Sequence, residues 1–135
     1  MKNEIGHIMR KYNVLEYKGP GDELSIDTLY KTLGYACLYK GYGKTTNEIP
    51  ADELTVSLFR EAYPRELFLE LERKGYTLEE KYSGIYYVSG NILFPVQIVV
   101  SSRLNRSRHS SLRILSENAD IEDIRKFLEQ TENMK

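Results

Sequence analysis

The order of local patterns along the chain predicts an α/β (α+β) fold on a central mixed β-sheet flanked by helices. Three observations carry this. Apolar alternation over 12–18 and again over 54–59 gives way each time to helical spacing, the order of strand, helix and strand that α/β sheets use. Segments 76–81 and 85–88 alternate around Ser83-Gly84 as an antiparallel hairpin does. Pro95–Val100 is apolar on both faces, as a strand in the middle of a sheet must be. With 135 residues, 41% of them hydrophobic, the chain suits one core, and no repeat, linker or low-complexity tract divides it. Residues 1–135 therefore read as a single domain.

The elements follow in order. Asn3 can cap a short helix to about Lys11, with Ile5, Ile8, Met9 and Tyr12 at helical spacing. Strand 12–18 ends at the turn Gly19-Pro20-Gly21-Asp22. Ser25 is a good N-cap for a helix to about Lys40, striped by Ile26, Leu29, Tyr30, Leu33, Ala36 and Cys37. Gly34 inside it costs about 1 kcal/mol relative to alanine, which predicts close packing against a strand. A polar loop, 41–52, leads to strand 54–59. Pro64 then opens a helix with Leu67, Phe68 and Leu71 inward, ended by Gly75. Two further helices are expected at 106–117 and 121–131, the second capped by Asp120 and striped by Ile121, Ile124, Phe127 and Leu128.

Composition excludes several classes. No apolar run approaches the roughly 20 residues that span a bilayer, and the longest, near 94–100, is interrupted by Pro95 and Gln97. The N-terminus lacks a charged-then-apolar export signal. One cysteine, Cys37, excludes an internal disulfide and fits a reducing cytoplasm; within an apolar pattern it reads as a small buried hydrophobe. Cys37, His7 and His109 are too few soft ligands for structural zinc. A Gly-rich phosphate loop, a Ser/His/Asp order and a dinucleotide fingerprint are all absent.

Charge is uneven. Residues 48–80 carry four basic and nine acidic groups, whereas 101–115 holds Arg103, Arg106, Arg108 and Arg113 and no acid. Such a patch contacts phosphates or is simply a solvated helix surface. Lys31 and Lys40 admit the same two readings. The eleven tyrosines, among them Tyr35, Tyr39, Tyr42 and Tyr86-Tyr87, can stack on unpaired bases, or fill the half-buried positions tyrosine favours.

The sharpest chemistry lies at 13–18, Asn-Val-Leu-Glu-Tyr-Lys. In a strand Val14, Glu16 and Lys18 share one face, and Leu15 and Tyr17 the other. A carboxylate beside an ammonium at a strand end can hold a divalent cation and a water together, or form an ordinary surface ion pair.

The run Asn13-Val-Leu-Glu-Tyr-Lys-Gly-Pro-Gly-Asp22 is followed by Leu24-Ser-Ile-Asp-Thr-Leu-Tyr-Lys31 and Gly34-Tyr-Ala-Cys-Leu-Tyr-Lys40. With the later Tyr63-Pro64-Arg65 and Gly84-Ile-Tyr-Tyr-Val88, it resembles the PD-(D/E)XK nuclease-like proteins. The branch is the bacterial one related to transposase-like and recombination-promoting (Rpn-type) nucleases, and the resemblance covers nearly the whole chain. It implies a restriction-endonuclease-like sheet and a hydrolase that cuts phosphodiesters of nucleic acid, DNA foremost, with Mg²⁺ (or Mn²⁺) as cofactor. In that family one strand supplies an Asp and the next a Glu-x-Lys. Carried onto this chain, Glu16 matches the catalytic residue that is the acidic metal ligand, and Lys18 the catalytic lysine. The metal lowers the pKa of a bound water, and lysine serves as a point cation in the transition state.

The resemblance also implies an N-terminal truncation, because the Asp strand should precede residue 13, where Glu4 is the only acid. Asp22 and Asp27 follow the motif strand and either approach a metal or serve as a turn residue and a first-turn helix acid. Without that strand the sheet keeps an open edge, which invites pairing with a second copy. The nucleic-acid contacts expected are Lys31, Arg103, Arg106, Arg108 and Arg113. The alternative function is a non-catalytic relative that binds nucleic acid or homo-oligomerises.

Overall fold

The computed structural model describes residues 4–104. Arg106, Arg108, Arg113 and His109, the helices expected at 106–117 and 121–131, and the Asn3 cap lie outside the described residues.

The fold is α+β: among the described residues, a five-stranded mixed sheet with two α-helices. Strand β1 (Tyr12–Lys18) is followed by helix α1 (Ile26–Gly41), β2 (Leu54–Arg60), α2 (Arg65–Arg73), the hairpin β3 (Thr77–Tyr82) and β4 (Ile85–Ser89), and β5 (Val96–Val100). Their order across the sheet is β1-β2-β5-β4-β3. Strands β1, β2 and β5 run parallel, and β5–β4 and β4–β3 are antiparallel. The apolar run of β5 is thus the middle strand, buried along its whole length.

Both helices pack on one face. There Leu29 and Ala36 of α1 and Leu67, Phe68 and Leu71 of α2 join Val56, Leu58, Val96, Ile98 and Val100 in the main core. The opposite face is a smaller cluster of Phe59, Ile85 and Val99 under Ile5, Met9 and Leu104. On that face buried Gln97 ties the N-terminal turn to the sheet, because its amide donates to the Ile5 carbonyl and to Ser57 Oγ, both at 2.9 Å.

Local chemistry explains the element ends. Ser25 and Thr28 form a reciprocal capping box at the start of α1. Gly75, with φ +94°, takes the left-handed conformation just past α2. At Gly84, φ is +80° and a Cβ would lie 2.8 Å from the Val100 carbonyl oxygen, so only glycine fits the hairpin turn against β5.

Four expectations are corrected. Residues 5–7 form a single 3₁₀ turn rather than a helix to Lys11, and the Asn13 side chain bonds the Arg10 backbone in both directions where β1 begins. Tyr30 and Cys37 are exposed, and buried Thr32 takes the place expected of them. Thr32 is tolerated inside because its hydroxyl donates to the Thr28 carbonyl at 2.7 Å. Gly34 faces open space, with no atom within 4 Å of where a Cβ would sit, so it marks no close packing. Finally, Tyr35, Tyr39 and Tyr42 are exposed rather than half-buried, in one outward stripe with Leu38.

Candidate functional site at the carboxyl ends of the parallel strands

In open sheets with parallel strands, ligands bind in the crevice outside the carboxyl ends, where the following loops and helix N-termini diverge. Here β1, β2 and β5 end together. Tyr12 and Val14 of β1 pack into the helix-side core, whereas Leu15 and Tyr17 pack into the opposite cluster. Strand alternation therefore places Glu16 and Lys18 together on the helix side, at the end of the strand before Gly19. This is the juxtaposition expected from the sequence.

Pairing adds a group that the sequence did not single out. In the parallel register Glu16 lies opposite Leu58, and Lys18 opposite Arg60. The Arg60 Nε donates to the Asp22 carbonyl at 3.1 Å, which anchors the guanidinium beside the loop that enters α1. Glu16 and Lys18 do not pair with each other; among the described residues the ion pair seen is Arg73–Glu70, 3.2 Å apart. Both side chains are partly exposed at the rim.

Arg103 stands at the far side of the same rim, in the 3₁₀ turn Ser101–Arg103 after β5. Its guanidinium carbon lies 4.0 Å from the Tyr63 ring centroid and its Nη1 donates to Tyr86 Oη at 3.2 Å. Tyr63, Phe68 and Tyr86 contact one another edge to face, with centroids 4.8–6.0 Å apart. Burial pushes the Tyr86 hydroxyl above its ordinary pKa, and the Arg103 hydrogen bond pulls against that. The Ser102 amide donates to the Glu61 carbonyl at 3.1 Å, so Arg60 and Arg103 each sit one residue from a shared backbone bond.

Other expected residues are not gathered here. Lys31 is exposed on the side of α1 opposite Leu29, Thr32 and Ala36, and faces solvent. Asp27 is likewise exposed in the first turn of α1; Asp22, by contrast, stands at the rim, its carbonyl accepting from Arg60 and its carboxylate 3.7 Å from where a Cβ on Gly19 would sit. Glu4 precedes the 3₁₀ turn whose Ile5 belongs to the opposite cluster. Among the described residues no three His, Cys, Asp or Glu side chains converge to hold a metal. Mg²⁺ requires near-octahedral oxygen coordination. Glu16 alone, with Leu58 and Arg60 on the neighbouring strand, does not complete such a site.

Arg60 and Tyr63 are what sequence reasoning missed as site residues, and Tyr86, one of the tyrosines considered for stacking on bases, instead supports Arg103. The one signal was that 54–60, like 12–18, ends on a cation. That has meaning only once the two strands are known to run parallel and in register. No helix among the described residues is long and apolar enough to cross a membrane. No protein-family model, curated protein or solved structure matches the chain.

Proposed function

We propose that this domain handles the phosphodiester backbone of nucleic acid, in the manner of the PD-(D/E)XK nuclease-like proteins its motif resembles. The observation that supports it best is the grouping of Glu16, Lys18 and Arg60 on one face at the carboxyl ends of adjacent parallel strands. The two cations would orient and neutralise a phosphate, Lys18 as a point charge and Arg60 as a fork already held by Asp22. Glu16 would supply the carboxylate that phosphodiester hydrolysis needs, as a base or as one of several metal ligands. The described residues do not furnish the remaining oxygen ligands, so no catalytic step is assigned to a metal.

The test is cleavage of labelled DNA and RNA with Mg²⁺ or Mn²⁺ added, comparing wild type with Glu16→Ala and Lys18→Ala. Loss of cleavage in both variants at unchanged melting temperature is expected. Cleavage that survives both substitutions, or no cleavage by any form, would remove the enzymatic reading.

A second reading, self-association, is favoured by a separate observation. Among the described residues β1 is paired on one side only, and exposed Tyr35, Leu38, Tyr39 and Tyr42 line α1 above it. Tyr39 meets Tyr12 of β1, with ring centroids 5.7 Å apart, so edge and stripe form one surface.

A further inference from the structure

Resting on the phosphodiester reading, we propose that Arg103, mounted on Tyr63 and Tyr86, is a second phosphate contact. A nucleic-acid strand would then cross the ends of β1, β2 and β5, one phosphate at Lys18 and Arg60 and a neighbouring one at Arg103. An exposed arginine normally forfeits side-chain entropy when a ligand fixes it. Arg103 is exposed, yet its guanidinium is already stacked at 4.0 Å on Tyr63 and bonded at 3.2 Å to Tyr86. One of its five N–H donors is used in that bond, and it makes no ion pair among the described residues. The remaining donors form a charged fork held in place in advance.

The backbone beneath it is equally constrained. Ser83 Oγ donates to the Arg103 carbonyl at 2.6 Å, and Gly84 packs so closely that an added Cβ would lie 2.9 Å from the Arg103 carbonyl carbon. The hairpin tip thus holds the turn that presents the arginine. The nearby Glu61 carboxylate acts on the Tyr17 hydroxyl, which belongs to the opposite sheet face. Lys18, Arg60 and Arg103 are the cations of this rim; Glu16 and Asp22 lie beside the first two, and Glu80 acts on the Tyr86 hydroxyl that Arg103 bonds.

The experiment is fluorescence-anisotropy binding of a labelled oligodeoxynucleotide to the full chain, in EDTA, over a series of salt concentrations. Each lost phosphate contact should lower the slope of log K against log salt by about 0.7–0.9. Arg103→Ala is expected to do so, and Arg60→Ala to do so independently. Tyr63→Leu should weaken binding with the slope retained, because the charge remains but its mounting is lost. If Arg103→Ala folds poorly, Arg103→Gln keeps a stem over Tyr63, loses only the charge, and is read in the same way. An unchanged slope in the Arg103 variants, with Arg60→Ala lowering it, overturns the second contact and leaves the phosphodiester reading intact. A wild type that does not bind the oligonucleotide, or that binds anionic vesicles instead, overturns both.

Discussion

Glu16 and Lys18 carry the chemistry because alternation along a strand places residues two apart on the same face, whatever the rest of the fold does. Neither is buried, so their removal should cost little stability while abolishing any function of the site. Tyr87 makes the opposite case. Its hydroxyl is buried without a hydrogen-bond partner among the described residues, and burial raises its pKa to about 12. Because that folded pKa lies above the unfolded value of 10.0, deprotonation favours the unfolded chain. The stability of the protonated fold is intact below about pH 10 and is lost as pH rises through about 12. Tyr87→Phe should therefore be at least as stable as wild type at neutral pH, since an unpaired buried hydroxyl costs free energy. Thermal melts from about pH 8 upward, at about one-unit steps, should also fall less steeply for the variant. A variant clearly less stable than wild type at neutral pH would mean that the hydroxyl has a partner.

At the scale of elements, the boundaries of strands and helices follow from turn and cap chemistry, but the faces do not always. Strand 12–18, the Ser25 cap, the inward Leu67, Phe68 and Leu71 of α2, and the hairpin about Ser83-Gly84 all stand where local patterns place them. The buried face of α1 is rotated from its apparent stripe, because Thr32 hides its hydroxyl in a backbone bond and passes as apolar. Tyr30, Cys37 and Tyr39, apolar by type, are left outside. The Gly84 turn gives the clearest element-scale prediction. Alanine there combines a strained positive φ with contacts of 2.8–2.9 Å to Val100, Arg103 and Leu104 backbone atoms. Gly84→Ala should lower stability by more than the roughly 1 kcal/mol of an ordinary glycine replacement, as measured by urea denaturation. A cost within about 0.5 kcal/mol would show that the turn packs on β5 more loosely than these distances require.

The whole molecule adds the sheet edge. An edge strand with unpaired N–H and C=O groups is a template for another strand, and proteins usually blunt it with charges, proline or a covering element. Here Glu16 and Lys18 stud the edge strand and Pro20 follows it, but Tyr12, Val14 and the α1 stripe leave apolar area beside it. Sedimentation velocity over a range of protein concentrations should reveal reversible association, reduced by Tyr39→Glu or Leu38→Glu without loss of melting temperature. A single monomeric species at all concentrations would set the self-association reading aside. Should association instead block oligonucleotide binding, the rim and the edge would be competing surfaces of one domain.

The sequence by itself determined the strands from Tyr12 and Leu54, the helices opened by Ser25 and Pro64, the hairpin about Ser83-Gly84, and that Glu16 and Lys18 share a face, because these depend on neighbours a few residues apart. It also marked β5 as the central strand, since only a strand covered on both sides can be apolar throughout. Only the tertiary structure decided that β1, β2 and β5 run parallel and end together, which sets Arg60 opposite Lys18 and mounts Arg103 on Tyr63 and Tyr86. Strand direction and register arise from packing and hydrogen bonds between residues some forty positions apart, as the pairing of Lys18 with Arg60 illustrates. No local pattern encodes such a meeting.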